Sequence, residues 1–200
     1  VFHDESLNRL LHVPKRVSQL SLQELQQCRF PDGQTIPSFE DLIELTTGKI
    51  RLLVELKADG LEQTVMEMIR GHQFGESAII QSFKGRHISR CHEIEPSYHF
   101  GLCIGLAGAR GPFSRVGGKW AYDRIVRPYP GDYVNVDWPL VTDEFIQVCN
   151  QHGKKVILGA NSTEKYLDKL YSWQVVMINA DDPGRIREVA AGAGPLIPSD

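Results

Sequence analysis

Arg51-Leu52-Leu53-Val54-Glu55-Leu56-Lys57 is the stretch on which the fold turns. Its branched and leucine-rich side chains suit a strand, and successive side chains on a strand point to opposite faces. Leu52, Val54 and Leu56 therefore share one face, suited to packing against helices. Leu53, Glu55 and Lys57 share the other, which ends in a carboxylate and an amine at the strand's C-terminal end.

The same pattern recurs downstream. Further strands are predicted over Ala78–Ser82, His99–Ile104, Tyr133–Asp137, Lys155–Leu158 and Val175–Asn179. Helix-like segments lie between them at Leu61–Gly71, Lys84–Glu93, Thr142–Gln151 and Ser162–Tyr171. Strands that alternate with helices in this way form repeated βα units and a parallel sheet. Helix boundaries carry their own signals. Ser21 with Glu24 is a capping-box pattern, Ser38 with Asp41 opens another helix, and Thr142 suits an N-cap ahead of Asp143 and Glu144. Gly153 stands where a left-handed C-terminal residue is expected.

Polar residues choose between the two parallel architectures. Gln81 and Phe83 close the second strand, Asn135 and Asp137 the fourth, Asn161 follows the fifth, and Asn179 and Asp181 follow the last. Polar groups converging from the C-terminal ends of many strands describe the rim of a (β/α)8 TIM-barrel. A doubly wound sheet would gather its ligand groups at one switch point, usually with a G-x-G-x-x-G turn, and none follows a strand here. The expected fold is thus an α/β barrel forming one domain over residues 1–200. Six βα strands are two short of eight, so the first two strands are expected to be missing from this chain.

Composition narrows the function. The chain has 200 residues, 42% hydrophobic and 24% charged, with a net charge of −3. That balance is ordinary for a globular protein and argues against a dedicated nucleic-acid binder. No stretch approaches the ~20 apolar residues of a membrane span. The four cysteines are widely spaced and read as reduced, mostly buried thiols, which leans towards the cytoplasm. Residues 105–132 form a glycine- and proline-rich connection, with one short helix expected near Trp120. Its Arg110, Arg115, Lys119, Arg124 and Arg127 read as a solvated basic loop, or as a cover over an anionic group. His87, Cys91 and His92 fall on one predicted helix, and the five-residue spacing of the histidines suits a solvated surface better than a metal site.

Two constellations could carry chemistry. His3-Asp4 offers a group able to move protons near neutral pH, as phosphodiester hydrolysis requires. Glu55 can hold a hard cation through oxygen, and Lys57 can neutralise a phosphoryl oxygen.

The order of motifs resembles the glycerophosphodiester phosphodiesterase family. His3-Asp4-Glu5-Ser6-Leu7-Asn8-Arg9 is similar to its H-D-x-x-L-x-R segment, and Leu20–Leu25 to its LTLxEL segment. Ile36–Leu42 resembles IPTLEEVL, Leu53–Lys57 resembles NIELK, and Gln81-Ser82-Phe83 resembles SSF. The resemblance implies a (β/α)8 barrel that hydrolyses glycerophosphodiesters to glycerol 3-phosphate and an alcohol, using Mg²⁺ or Ca²⁺ and two histidines. It implies that His3 is the second catalytic histidine, Glu55 a metal carboxylate and Lys57 a phosphate-side lysine, with Phe83 and Asn161 bordering the substrate. The family's first histidine and its E-x-D metal pair precede the His-Asp motif, so this chain reads as the C-terminal four-fifths of the domain. Leu158–Asn161 keeps the Asn of the family's WTVN segment without its Trp. A barrel that binds a phosphodiester or a protein partner without catalysis is the alternative.

Overall fold

A computed structural model describes residues 1–105, 118–159 and 167–192. The chain divides into two compact units, Val1–Ile50 and Arg51–Asp200.

The first unit is built from short helices held by caps. Helix α1 (Asn8–Leu11) ends at His12 in the left-handed conformation. In α2 (Leu22–Gln27) and α3 (Phe39–Thr46) the capping boxes form as the sequence predicts. The Ser21 and Ser38 side chains accept from the backbones of Glu24 and Asp41, whose carboxylates reach back to the serine N–H groups. Leu7, Leu11 and Ile36 make a small core. Phe2, Leu20, Leu25 and Phe30 pack on it.

Among the described residues, the second unit holds six parallel strands in sequential order: β1 (Leu52–Glu55), β2 (Ala78–Ser82), β3 (His99–Ile104), β4 (Tyr133–Asp137), β5 (Lys155–Gly159) and β6 (Met177–Asn179). Sequential order has no reversal, which excludes the switch point of a doubly wound sheet and fits the βα repeat of a (β/α)8 barrel. Glu55 pairs in register with Gln81, Gln81 with Gly101, and Asn135 with Cys103. Lys57 stands just past the end of β1, where the Leu56 N–H still donates to Gln81 O at 2.8 Å.

The helices of this unit are α4 (Glu62–Gly71), α5 (Gly85–Ile94), α6 (Gly118–Ala121), α7 (Asp143–Gln151), α8 (Leu167–Ser172) and α9 (Pro183–Gly192). The expected short helix near Trp120 is α6, which runs on into a π-helical turn at Tyr122–Val126. Thr142 caps α7 through Phe145 N, and Gly153 takes φ +68° beyond its end. Helix α9 lies beyond the helices the sequence pattern predicts, yet its start is conventional: Asp182 accepts from Arg185 N and Pro183 fills the first helical position. Residues 162–166 of the expected Ser162–Tyr171 helix lie outside the described residues.

The helix side of the sheet carries the main core. Leu102, Ile104, Val134, Val136, Val156 and Leu158 pack with Phe145, Ile146 and Cys149 of α7 and with Tyr122, Val126, Leu170 and Trp173. Side chains of alternate parity, including Glu55, Gln81, Cys103 and Asn135, therefore occupy the opposite, inner face.

Candidate active site

The inner face is polar towards the C-terminal ends of its strands. Lys57 Nζ lies 3.8 Å from Glu55 Oε2, with both side chains partly exposed. On β2 and β4, Asn135 Nδ2 donates to Gln81 Oε1 at 2.9 Å. The bond spans β3 near Gly101, where an added Cβ would lie a tight 3.3 Å from Tyr133 Cβ. Further out, a methyl group at Gly105 would lie 2.6 Å from Phe83 Cε1 and 3.0 Å from Asp137 Oδ2. One at Gly159 would lie 3.1 Å from Asp137 Oδ1 and 3.4 Å from Asn135 Oδ1. Missing side chains on β3 and β5 thus make room for a ring, a carboxylate and an amide to converge.

The electrostatics agree with that placement. Burial pushes the Cys103 thiol far up, the Glu55 and Asp137 carboxylates push it further, and Lys57 opposes them. Cys103 therefore feels the field of all three charged groups. Glu55 offers a hard oxygen donor, but among the described residues no group of three His, Cys, Asp or Glu side chains comes together to hold a metal ion. One carboxylate does not fill the six or more positions of Mg²⁺ or Ca²⁺. The described donor set therefore does not complete the expected cation site.

His3 belongs to the first unit. Its Nδ1 lies 2.8 Å from Asp4 Oδ1, and Arg9 grips the same carboxylate through Nε at 2.6 Å and Nη2 at 2.9 Å. The Arg9 hydrogen bonds first, and then that of His3, hold the Asp4 carboxyl well below the usual carboxylate range. An ionised carboxylate only accepts, so Nδ1 carries the proton shared with Asp4. The imidazole is thus held by Asp4 on one side, and its side chain is 76% exposed.

Of the predicted residues, the second unit brings Glu55 and Lys57 together, while Phe83, 54% exposed, lies with Asp137 around Gly105. Asn161, Arg110 and Arg115 lie outside the described residues. Lys119 and Arg127 both pair with Asp123 at the surface. The expectation of a solvated surface at His87 is corrected, because its side chain is fully buried. His87 Nε2 lies 2.7 Å from Asp59 Oδ1 and 3.6 Å from Glu62 Oε1, while Nδ1 lies 3.1 Å from Ser82 Oγ. Helix α5 packs on β2 and β3 along this side, so its buried face includes a histidine that spacing alone assigned to solvent. The signal available was a serine closing β2 and an aspartate between β1 and α4, both within reach of the first turn of α5. The thiol expectation holds: Cys91, Cys103 and Cys149 are buried, and none of the four cysteines is in a disulfide. No helix among the described residues is long and apolar enough to cross a membrane.

Comparison with known proteins places this arrangement. The chain is 31% identical over 194 residues to YhdW of Bacillus subtilis, provisionally named a glycerophosphodiester phosphodiesterase, covering 92% of this chain and 76% of that protein. It is 24% identical over 196 residues to a glycerophosphodiester phosphodiesterase of Caldanaerobacter subterraneus, again covering 92% and 76%. Among solved structures it matches an Oleispira antarctica phosphodiesterase in complex with the product sn-glycerol-3-phosphate. That match has a TM-score of 0.77 and 20% identity over 95% of this chain and 78% of the other. A glycerophosphodiester phosphodiesterase from Agrobacterium tumefaciens matches with a TM-score of 0.70 and 17% identity, over 96% and 80%. No family model matches the chain. The structural matches establish an α/β fold shared with phosphodiesterases. The chain belongs to the glycerophosphodiester phosphodiesterase family, as its relation to the Bacillus protein shows.

Proposed function

We propose that this protein hydrolyses glycerophosphodiesters to glycerol 3-phosphate and an alcohol, in a reaction dependent on a divalent cation. The observation that carries the proposal is the Glu55–Lys57 pair at the C-terminal end of β1, with Lys57 Nζ 3.8 Å from Glu55 Oε2, in a chain of this family. The named product in the Oleispira structure supports the substrate class.

Each residue has a role that its chemistry permits. His3, oriented by Asp4, transfers a proton to or from an oxygen of the reacting diester. Lys57 neutralises charge on a phosphoryl oxygen as it builds up. Glu55 would supply one oxygen donor to Mg²⁺ or Ca²⁺, and such a hard cation, when bound, would polarise a phosphoryl oxygen. Phe83 and Asn161 border the substrate.

The test is release of choline from glycerophosphocholine by this chain, with Mg²⁺, with Ca²⁺ and with a chelator. Cation-dependent hydrolysis that falls by about 10²-fold or more in His3→Ala is expected, since acid–base groups contribute ~10²–10⁴. Wild-type rates in both His3→Ala and Glu55→Ala would overturn the assignment. Binding of the diester without turnover would favour the non-catalytic alternative.

A further inference from the structure

Among the described residues, the amide pair on the inner face is incompletely satisfied. A primary amide carries two N–H donors and one oxygen acceptor. The single bond from Asn135 Nδ2 to Gln81 Oε1 leaves both Gln81 N–H groups, the second Asn135 N–H and the Asn135 oxygen without a partner among the described residues. Yet Gln81 is 4% exposed and Asn135 7%. Buried polar groups are normally paired, and an orphaned one calls for a water, an ion or a ligand. Exchanging N and O in both amides would reverse the ends but would still leave one donor group and one acceptor.

The surroundings say where those ends lie. Gln81 is in register with Glu55, on the same face. The Asn135 oxygen and the Asp137 carboxylate converge on the space that Gly159 leaves open. The pair therefore runs across the inner face between the Glu55 strand and the Asp137 end of β4. Both amides are neutral, so they suit uncharged groups that donate and accept together. Hydroxyl groups do both.

We propose that Gln81 and Asn135 form a polyol subsite that takes the hydroxyls of the substrate's glycerol moiety. The identity of the ligand rests on the function proposed above; the existence of the subsite rests on the amide groups left unpaired among the described residues. A site built to hydrogen-bond a hydroxyl discriminates strongly against an analogue without it.

Calorimetric titration with sn-glycerol 3-phosphate and with n-propyl phosphate, in the same cation-containing buffer, tests the subsite apart from catalysis. The wild-type chain should prefer glycerol 3-phosphate by at least about tenfold. Gln81→Met and, separately, Asn135→Leu should abolish that preference while propyl phosphate affinity stays within about twofold. Equal affinity of the wild type for the two ligands, or failure to bind either, overturns the subsite. So does a folded variant that keeps the preference or weakens both ligands equally. A chain that binds with the expected preference but hydrolyses no diester keeps the subsite and loses the catalytic proposal. An active chain without the preference does the reverse.

Discussion

His87 Nε2 lies 2.7 Å from Asp59 Oδ1, joining the first turn of α5 to the connection that follows β1. The other side of the ring meets Ser82 Oγ at 3.1 Å, and that hydroxyl donates to Leu56 O at 2.7 Å. One buried imidazole thus ties together the ends of two strands and the loop just beyond Lys57. His87→Ala removes the ring and orphans its buried partners. The expected loss of stability is about 1–3 kcal/mol, read as a lower urea midpoint with little change in slope.

Asp59 adds a pH dependence. The hydrogen bonds from His87 first, then from Arg86 and Lys84, hold its carboxyl below the ordinary value of 3.8. A depressed folded-state pKa contributes stability that is complete above the unfolded value and is lost as pH falls through the folded one. Stability should therefore decline below about pH 4. Asp59→Asn should flatten the part of that decline owed to this group. Parallel slopes in wild type and variant over pH 2–4, measured by thermal melts, would contradict the account.

The Asp4 carboxylate orients His3 and should act through it. Asp4→Asn can present an amide N–H to Nδ1, which favours the wrong tautomer. The expected result is a fall in kcat of ~10²-fold or more with KM little changed, as for other oriented histidines. Steady-state kinetics on glycerophosphocholine separate the two constants. A change in KM alone would place Asp4 in binding instead.

Glu55→Gln and Lys57→Met should fail differently. Loss of the Glu55 charge should raise the cation concentration needed for half-maximal activity by at least about tenfold. Lys57→Met should lower kcat with that concentration unchanged. Activity titrated against Mg²⁺ in each variant distinguishes them.

Thiol reactivity should follow burial. Desolvation raises the Cys91 and Cys149 thiols to about 12, and Cys103 higher still. The thiolate is the reactive form, so these three should label only on unfolding. Half-buried Cys28 is the thiol expected to react first with iodoacetamide at pH 8, by peptide mapping.

Much of this architecture was legible in single residues. Strands β2, β3 and β4 lie where alternation and branched side chains put them, and Ser21, Ser38 and Thr142 cap the helices they precede. The predicted Arg51–Lys57 strand is shorter, ending at Glu55. In the site, the sequence placed Glu55 and Lys57 side by side because residues two apart on a strand share a face. It also put Gln81, Asn135 and Asp137 at strand ends without showing which of them meet.

The sequence by itself determined the βα repeat, the caps, the polar rim and the family resemblance. Each of these is written within a few residues, through periodicity, hydrogen-bonding side chains or a short motif. Tertiary structure alone decided that His87 is buried beside Asp59 and that Asn135 reaches Gln81 across 54 residues. Burial and pairing of that kind depend on which strands become neighbours and where a glycine such as Gly101 leaves room between them. No local pattern encodes that room, because it exists only once the sheet has formed.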